Sequence, residues 1–462
     1  MSGKKAGAPP LRRGETVEVE ITDLSHDGEG VGRVGGFTLF VPQTAPGDLV
    51  EARVISVQKT YARGLPLAVK RYSRLRVEPA CRHFARCGGC RLQHLQYEAQ
   101  LRLKQERVRE VLRRLGQVEA PVLPVIGMAD PWGYRNKAQV PVAAENGRLV
   151  AGFFEPRSHR VVDMDSCPIQ HPAGNRVVQA AREALEELHI APYDEKTHRG
   201  AVRHILSRAS FSTGEVLLTL VTAQEKLPHA ARLVEKLRTS LPGLVGIVQN
   251  INTGRGNTIL GDREVTLWGR PYLVEALGGL TFHVSSRSFF QVNPKQTEVL
   301  YDKVLAYTGL TGTETVFDLY CGTGTIALYL ARKTKTVIGV ESAREAVRDA
   351  RSNAKLNRIN NALFFEGRAE EVVPRLLEEG YRADIIVVDP PRKGCEPSLL
   401  QTIIAAAPRR LVYVSCNPAT LARDLQILEK SGYRTVEVQP VDMFPHTSHV
   451  ETVVLMPRVE WT

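Results

Sequence analysis

The fold of the last third of this chain is decided by the stretch VFDLYCGTGT at residues 316–325. An apolar strand that carries Asp318 leads into a turn with two glycines, and a helix is predicted to begin at Thr325. The next strand, residues 336–340, leads to Glu341, which lies 23 positions after Asp318. An acidic side chain at this distance is well placed to bind both hydroxyls of a ribose. The pattern predicts a nucleoside site, although a purely structural turn of an α/β fold is the alternative.

The glycine turn also restricts which nucleoside fits. It has two glycines and no nearby cation for a pyrophosphate, so S-adenosylmethionine fits better than NAD. Apolar runs at residues 383–389 and 410–415 predict later strands of the same sheet. Runs at this spacing are typical of a parallel sheet with helices on both faces, whose ligands lie beyond the carboxyl ends of the strands. We therefore expect residues 286–462 to form a Rossmann-like domain.

Two motifs stand at the ends of these later strands. The first is DPPR at residues 389–392, in which two prolines stiffen the turn and expose Asp389 to a pocket. The second is SCNP at residues 415–418, where Cys416 closes the strand. A thiolate at such an edge is a nucleophile, although an isolated cysteine in a strand is more often a buried apolar residue. Glu451 begins a later apolar strand, where partial burial would raise its pKa towards that of a useful base.

Together these groups suit covalent chemistry on a pyrimidine. Uracil C5 is too weak a nucleophile to attack a sulfonium methyl group directly. Addition of the Cys416 thiolate to C6 produces an enolate, which makes C5 reactive. After methyl transfer a base such as Glu451 must remove the C5 proton so that the thiolate can leave.

At this point a family resemblance becomes specific. The motifs SCNP, DPPR, SFFQVN at residues 288–293 and HVET at residues 449–452 resemble the RNA uridine-C5 methyltransferases, most closely the RumA-like branch that acts on 23S ribosomal RNA. Residues 14–70 are similar to the TRAM domain of that branch, so the resemblance covers nearly the whole chain. It implies Cys416 as nucleophile and Glu451 as the proton-abstracting base. It also implies an S-adenosylmethionine site lined by Gln291, Tyr320, Thr325, Glu341, Arg368 and Asp389.

A small β unit is predicted between about residues 14 and 70. Residues 16–21 and 49–55 alternate with period two, and glycines punctuate the stretch between them. Short strands of this kind are typical of a five-stranded OB-type barrel, a fold that often binds oligonucleotides. Aromatic rings would stack bases while cations follow phosphates, and a merely solvated barrel surface is the alternative. The candidate side chains are Arg12, Arg13, Lys59, Arg63, Lys70, Arg71, Arg74 and Arg76, with Tyr61 and Tyr72.

A cysteine cluster follows the barrel, with CRHFARCGGC at residues 81–90 and Cys167 far downstream. Four thiolates can hold zinc or an iron–sulfur cluster, and spacing alone leaves both open, together with unligated thiols. The family resemblance implies a 4Fe-4S cluster on Cys81, Cys87, Cys90 and Cys167. Methyl transfer by the thiolate mechanism consumes no electron, so a structural or RNA-positioning role is expected.

Composition bounds the remaining possibilities. The chain has 462 residues, 43% of them hydrophobic, which predicts two or three globular domains. No apolar run of about 18 residues is present, and residues 1–5 lead into no apolar segment, so we expect a cytoplasmic protein with no membrane partner. The net charge of +11 favours a polyanionic partner. The predicted domains are a TRAM-type barrel at 1–75, a central α+β domain with the cluster and RNA contacts at 76–285, and a methyltransferase domain at 286–462.

Three hypotheses follow. The first is a monomeric enzyme that uses S-adenosylmethionine to convert uridine to 5-methyluridine in 23S ribosomal RNA. The second is the same reaction on a transfer RNA uridine. The third is a non-catalytic RNA-binding iron–sulfur protein, and the joint presence of Cys416 and Glu451 speaks against it.

Overall fold

The computed structural model describes residues 10–459, which form two compact units. The first unit runs to Arg107 and includes Phe444–Ser448, and the second comprises Val108–Met443 and continues from His449. The predicted domain boundaries after residues 75 and 285 fall between elements and stay predictions. The first five residues, on which the predicted lack of a secretory signal depends, lie outside the described residues. Between residues 10 and 459, no helix is both long and apolar enough to cross a membrane.

The first unit contains the predicted barrel. Its strands are β1 (Thr16–Leu24), β2 (Gly30–Val34), β3 (Phe37–Val41), β4 (Leu49–Val57) and β5 (Tyr61–Arg71). They close in the order β1-β2-β3-β5-β4 around apolar side chains such as Leu39 and Val50, which are fully buried. Gly32 permits the close approach of β1, because a Cβ at that position would lie 2.5 Å from the carbonyl oxygen of Glu20. The alternating apolar residues therefore fill the core of the barrel, and Gly32 is required by the close approach of β1.

The α-helix α1 (Tyr97–Val111) follows the barrel and the cysteine loop, and it continues into a π-helix at Leu112–Gly116. The second unit then contains two large sheets. The elements of the first are β6 (Lys137–Glu145), β7 (Arg148–Phe154), β8 (Val161–Asp163), α2 (Pro172–Glu187), β9 (Val202–Ala209), β10 (Val216–Thr222), α3 (Ala230–Ser240), β11 (Leu244–Ile251) and β12 (Arg263–Gly269).

This first sheet has seven strands in the order β12-β11-β10-β9-β6-β7-β8. Helix α2 buries Val177, Ala181 and Leu185 at a spacing of four residues, so one face of the helix packs into the core of the sheet. A separate hairpin of β13 (Tyr272–Leu277) and β14 (Leu280–Ser285) leads out of this region.

The second sheet contains the strands on which the chemical motifs lie. Its elements are α4 (Pro294–Thr308), β15 (Thr315–Leu319), α5 (Thr325–Ala331), β16 (Thr336–Glu341), α6 (Arg344–Leu356), β17 (Ala362–Glu366), α7 (Ala369–Glu378), β18 (Ile385–Val388), α8 (Pro397–Ala406), β19 (Arg410–Ser415), α9 (Pro418–Glu429), β20 (Glu437–Val441) and β21 (Glu451–Pro457). The strand order is β17-β16-β15-β18-β19-β21-β20. The chain leaves β15 towards β16 on one side and reaches β18 on the other, and ligands bind at such a reversal of strand order.

The sheet differs from the predicted parallel arrangement at one edge. The strands from β17 to β19 are parallel, but β21 runs antiparallel to both β19 and β20. No helix connects β20 to β21, so the chain returns beside the strand it has just left in the opposite direction. As a result, the amino end of β21 lies at the same edge as the carboxyl ends of the parallel strands.

Candidate active site

Cys416 and Glu451 lie opposite each other at the carboxyl edge of the second sheet. Ser415 at the end of β19 pairs with Thr452 on β21, and the Thr452 hydroxyl donates to the Ser415 carbonyl at 3.1 Å. Continuing this antiparallel register by one residue places Cys416 against Glu451. Residues opposite each other in such a pair have Cα atoms about 4.5–5.5 Å apart. The two side chains that sequence reasoning assigned to catalysis are therefore neighbours.

Burial and charge set the protonation of these groups. The pKa of Cys416 is raised to about 11, first by burial and then by the nearby carboxyl groups of Glu451 and Asp389. Burial also raises the pKa of Glu451 well above its usual range, with Asp389 adding to the effect. Burial raises the pKa of Asp389 itself to about 6. The site therefore disfavours negative charge and holds protons on groups that would be ionised in water.

Arg392 is the cation that opposes this effect. Its charge lowers the pKa of both Cys416 and Glu451, and its Nη2 lies 3.0 Å from Nδ1 of His449. The carbonyl of Arg392 accepts a hydrogen bond from the Asn417 side chain at 2.9 Å. Asn417 also caps helix α9, since its side chain accepts from the backbone N–H of Ala419. Arg392 is thus tied to the residue that directly follows Cys416.

The turn after β15 forms the other half of the cleft. Glu341 accepts hydrogen bonds from the backbone N–H of Gly322 at 3.2 Å and of Ala343 at 2.8 Å. Tyr320 has a φ of 66°, a left-handed conformation that is uncommon for a bulky residue and tends to occur at functional sites. Asp318 is fully buried, and its pKa is raised well above its usual range by burial and by the charges of Asp389 and Glu341.

The remaining predicted cofactor residues, Thr325, Gln291 and Arg368, lie in different local environments. The Thr325 hydroxyl lies 2.7 Å from the Tyr301 hydroxyl at the start of α5. Gln291 accepts a hydrogen bond at its carbonyl from the Asn136 side chain at 3.1 Å, which anchors the loop before α4. Arg368 is exposed and its Nε donates to Glu370 at 2.8 Å, so its role towards a nucleoside stays a prediction.

The cleft fits a positively charged cofactor. Asp318, Glu341, Asp389 and Glu451 act electrostatically on one another or on Cys416. A ligand with a sulfonium and an ammonium group would relieve the repulsion among these carboxyl groups. S-adenosylmethionine has both, and Glu341 stands at the position expected for a ribose partner.

Sequence reasoning quoted Arg392, His449 and Phe289 within motifs but assigned none of them a role. The Phe289 ring is 69% exposed, although large apolar side chains are usually buried. Its carbonyl accepts a hydrogen bond from the Thr323 hydroxyl at 3.3 Å, which places it beside the glycine turn. A role for Arg392 could have been predicted from its place in the DPPR motif, which ends the strand next to that of the candidate thiolate Cys416.

The cysteine loop of the first unit has donors suited to a soft metal. Cys81 and Cys87 are buried, and the backbone N–H of Gly89 donates to Cys87 Sγ at 3.4 Å. Burial raises the pKa of Cys87, and the proximity of Cys81 raises it further. Among residues 10–459, however, no three His, Cys, Asp or Glu side chains form a group arranged to hold a metal ion. The four-cysteine site therefore stays a prediction.

Comparison with known proteins identifies the family. Residues 96–459 match the tRNA (uracil-5-)-methyltransferase family, and residues 10–67 match the TRAM domain. The chain is 51% identical to an uncharacterised RNA methyltransferase of Halalkalibacterium halodurans, over 97% of this chain and 98% of that protein. An uncharacterised RNA methyltransferase of Clostridium tetani is 46% identical over 97% of each chain.

A solved structure agrees with this assignment over the same length. The Pyrococcus abyssi tRNA (uracil-54, C5)-methyltransferase, solved in complex with S-adenosyl-L-homocysteine, superposes with a TM-score of 0.77 and 31% identity, covering 95% of this chain and 99% of that one. The predicted resemblance to RNA uridine-C5 methyltransferases is confirmed. The chain belongs to the tRNA (uracil-5-)-methyltransferase family and has an N-terminal TRAM domain.

Proposed function

We propose that this protein methylates C5 of a uridine in RNA, with S-adenosylmethionine as the methyl donor and 23S ribosomal RNA as the substrate. The observations that support it most are the pairing of Ser415 with Thr452, the residues next to Cys416 and Glu451, and the effect of the Glu451 charge, which raises the pKa of Cys416. A nucleophile and a proton-accepting carboxylate on facing strand ends can act on C6 and C5, two adjacent carbons of one uracil ring.

In the first step the Cys416 sulfur attacks C6 of the uracil. The S–C6 bond forms, the C5–C6 double bond breaks, and the electron pair moves through C5 onto O4 as an enolate. Arg392 favours this step, because its charge stabilises the thiolate form of Cys416. When bound, S-adenosylmethionine would supply the methyl group: the C5–CH3 bond forms as the S–CH3 bond breaks, and the neutral thioether S-adenosylhomocysteine is the leaving group.

Glu451 then completes the reaction. C5 now bears both a methyl group and a proton, and the Glu451 carboxylate accepts that proton. The C5–H electron pair restores the C5–C6 double bond, and the S–C6 bond breaks to release Cys416. Because burial raises the pKa of Glu451, its carboxylate is a stronger base than one in water.

Around this centre the other predicted residues bind and orient the ligands. Glu341 would hold the ribose of the cofactor, and Tyr320 and Thr325 would line the glycine turn beside it. Asp389 would accept a hydrogen bond from the base or from the cofactor amine. Phe289, exposed beside the turn, would stack on the uracil after it is unstacked from the RNA.

Ribosomal RNA is favoured by the cysteine loop together with the TRAM barrel, which the family resemblance links to the 23S-directed branch. The competing substrate is transfer RNA, because the Pyrococcus abyssi enzyme is a tRNA methyltransferase that superposes over nearly the whole chain. Incubation with tritiated S-adenosylmethionine and either 23S RNA fragments or tRNA transcripts separates the two. We expect label at C5 of uridine in 23S RNA, and label only in tRNA would assign the second substrate.

The covalent mechanism has its own test. RNA that contains 5-fluorouridine blocks the last step, since fluorine at C5 cannot be removed as a proton is. The wild-type protein is expected to form an adduct that survives denaturing electrophoresis, and Cys416→Ala is expected to form none. Methylation of ordinary RNA by Cys416→Ala would overturn this mechanism.

We also propose a 4Fe-4S cluster on Cys81, Cys87, Cys90 and Cys167, with zinc as the alternative. The buried thiols of Cys81 and Cys87 and the N–H···S contact to Cys87 support a soft metal at this loop. Iron, sulfide and zinc analysis of anaerobically purified protein, with its visible absorbance, distinguishes the two. About four iron and four sulfide per chain is the expected result.

A further inference from the structure

Helix α6 has a row of cations that no part of the reaction uses. Arg344, Arg348, Arg351 and Lys355 follow one another at steps of four, three and four residues, and all four are exposed. With 100° of rotation per residue these side chains fall within an arc of about 60° on the helix surface. We refer to these four residues as the α6 stripe.

The acidic residues of the same helix point elsewhere. Glu345 lies 3.5 Å from Arg287, and Asp349 accepts a hydrogen bond from the Ser288 hydroxyl at 3.3 Å. Both are therefore directed towards the loop that precedes α4. The hydrogen bond and the ion pair of these acids are thus made to the loop before α4, while burial raises the pKa of Asp349 and the charge of Arg348 lowers it.

Most of the α6 stripe also lacks partners elsewhere. Within residues 10–459, no salt bridge involves Arg344, Arg348 or Lys355. Arg351 instead donates to the carbonyl of Phe364 at 2.6 Å, which fixes one cation of the row against the neighbouring strand β17. By contrast, the exposed side chains of Arg375 and Arg409 are ion-paired, with Glu379 and Glu314 respectively.

The four cations line one side of an open groove along the helix. Glu345 and Glu366 also line this groove, and a second depression shares Arg351 and Lys355 and extends the groove to Arg358. Val347 and Phe364 are buried, and the exposed apolar side chains nearest to the groove in sequence are Leu356 and Leu363, each 39% exposed. Neither is an aromatic anchor, so the row of cations favours a polyanion over a folded protein partner.

The groove begins beside the predicted cofactor site, at the end of β16. Glu341, the predicted ribose partner, ends β16 three residues before Arg344. Because α6 starts at the carboxyl edge of the sheet, the stripe starts next to the cleft and extends about 17 Å from it. Strands β15 and β18 separate β16 from β19, so about 14 Å lies between the two strands, and RNA that extends a few nucleotides from a base at Cys416 spans that distance.

We propose that the α6 stripe binds the phosphodiester backbone of the substrate RNA on one side of the target uridine. This inference rests on the proposed function. It assigns part of the affinity for long RNA to a face of the methyltransferase sheet, independent of the TRAM barrel. Cations that follow phosphates in this way release counterions, so their contribution weakens as salt rises.

The test removes three charges at a time. The variant Arg344→Gln, Arg348→Gln, Lys355→Gln keeps Arg351, because that side chain has a structural partner. The matched control removes three exposed lysines at the opposite edge of the sheet, in Lys333→Gln, Lys335→Gln, Lys430→Gln. Both sets change the net charge equally.

Binding and methylation are measured with a short RNA limited to the target loop and with a long RNA extended on both sides, between 50 and 300 mM salt. For long RNA we expect the stripe variant to raise Kd and KM by about tenfold or more and to flatten the log–log salt slope by about 2. Its kcat, its binding of short RNA and the behaviour of the control variant should match wild type.

The inference is overturned if the stripe and control variants bind long RNA equally. It is also overturned if the stripe variant keeps its affinity for long RNA but loses affinity for poly-glutamate, a polyanion without phosphates, which is measured in parallel. Failure of the proposed function has a different outcome, namely that wild-type protein methylates neither RNA. The two results are distinguishable, because the stripe is judged only by comparing variants on RNA that the wild type does methylate.

Discussion

The cysteine loop of the first unit and the Cys416 edge of the second unit use the same side chain in opposite surroundings. Cys87 has another thiol and a backbone N–H as neighbours. Cys416 stands alone among two carboxyl groups and one guanidinium. A set of thiols without carboxylates suits a soft metal, whereas a single thiol beside a base and a cation suits covalent catalysis. The neighbours, and not the cysteine, decide the chemistry.

A third cysteine sharpens the contrast. Cys395 is 3% exposed, and burial raises its pKa to about 12. Its backbone N–H donates to Asp424 at 2.9 Å, and the Tyr413 hydroxyl donates to the same carboxylate at 2.6 Å. It lies only a few residues from Arg392, yet it has neither the exposure nor the facing base of Cys416. It provides a matched control for the nucleophile.

The largest expected effect is from Cys416→Ala. Loss of the nucleophile should reduce turnover by at least about 10⁴-fold and abolish the 5-fluorouridine adduct. Cys395→Ala should retain turnover within about tenfold, since that thiol touches no reacting atom. Equal losses in the two variants would remove the distinction between them. Initial rates with tritiated methyl donor measure both.

Glu451→Gln should have the next largest effect. Without a base to remove the C5 proton, turnover should fall by about 10² to 10⁴-fold. The thiol can still add to C6, so a covalent protein–RNA complex should accumulate even with ordinary uridine. Denaturing electrophoresis after a single turnover detects it. A variant that is slow but accumulates no adduct would assign the C5 proton to another base.

Arg392→Gln should move the pH profile. Because Arg392 lowers the pKa of Cys416 and Glu451, its removal should raise both values and delay formation of the thiolate and the carboxylate as pH increases. Activity should therefore fall at neutral pH and recover at higher pH, with kcat/KM shifted by about one pH unit to the alkaline side. Arg375→Gln, an exposed arginine on α7, is the control. An unshifted profile with lower activity would show that Arg392 acts by contact with RNA alone.

The smallest effect on chemistry is expected from Cys81→Ser and Cys87→Ser. These changes should remove the bound iron, while adduct formation with a short 5-fluorouridine RNA stays within about tenfold of wild type. Metal analysis and adduct yield are measured on the same preparation, with Cys395→Ser as the control for loss of a buried thiol. Complete loss of adduct in folded protein would mean that the two cysteine sites are functionally coupled.

Much of the second sheet could be predicted from the sequence. Residues 410–415 form β19 as expected, and the helix predicted to begin at Thr325 does begin there. Long apolar runs and helical spacing are local properties, so the pattern alone reveals them. The direction of β21 was missed, because strand direction depends on which partner the strand meets and not on its own residues.

The candidate active site was likewise predictable from the sequence only in part. The motifs predicted site roles for Cys416, Glu451 and Asp389, because a thiol, a carboxylate and a proline turn can each be recognised from the residue types alone. The role of Arg392 was not found, because its influence on Cys416 depends on the turn that the Asn417 side chain holds. The α6 stripe was also missed, because the partners of the acidic residues on that helix lie in a loop distant in the sequence.

By itself, the sequence determined the barrel, the α/β succession and the family, because periodicity, glycine turns and short motifs are written in neighbouring residues. Only the tertiary structure decided that an antiparallel strand brings Glu451 across from Cys416 at the ligand-binding edge. It also decided how far the pKa values of both groups rise, since burial and nearby charge come from residues far apart in the chain.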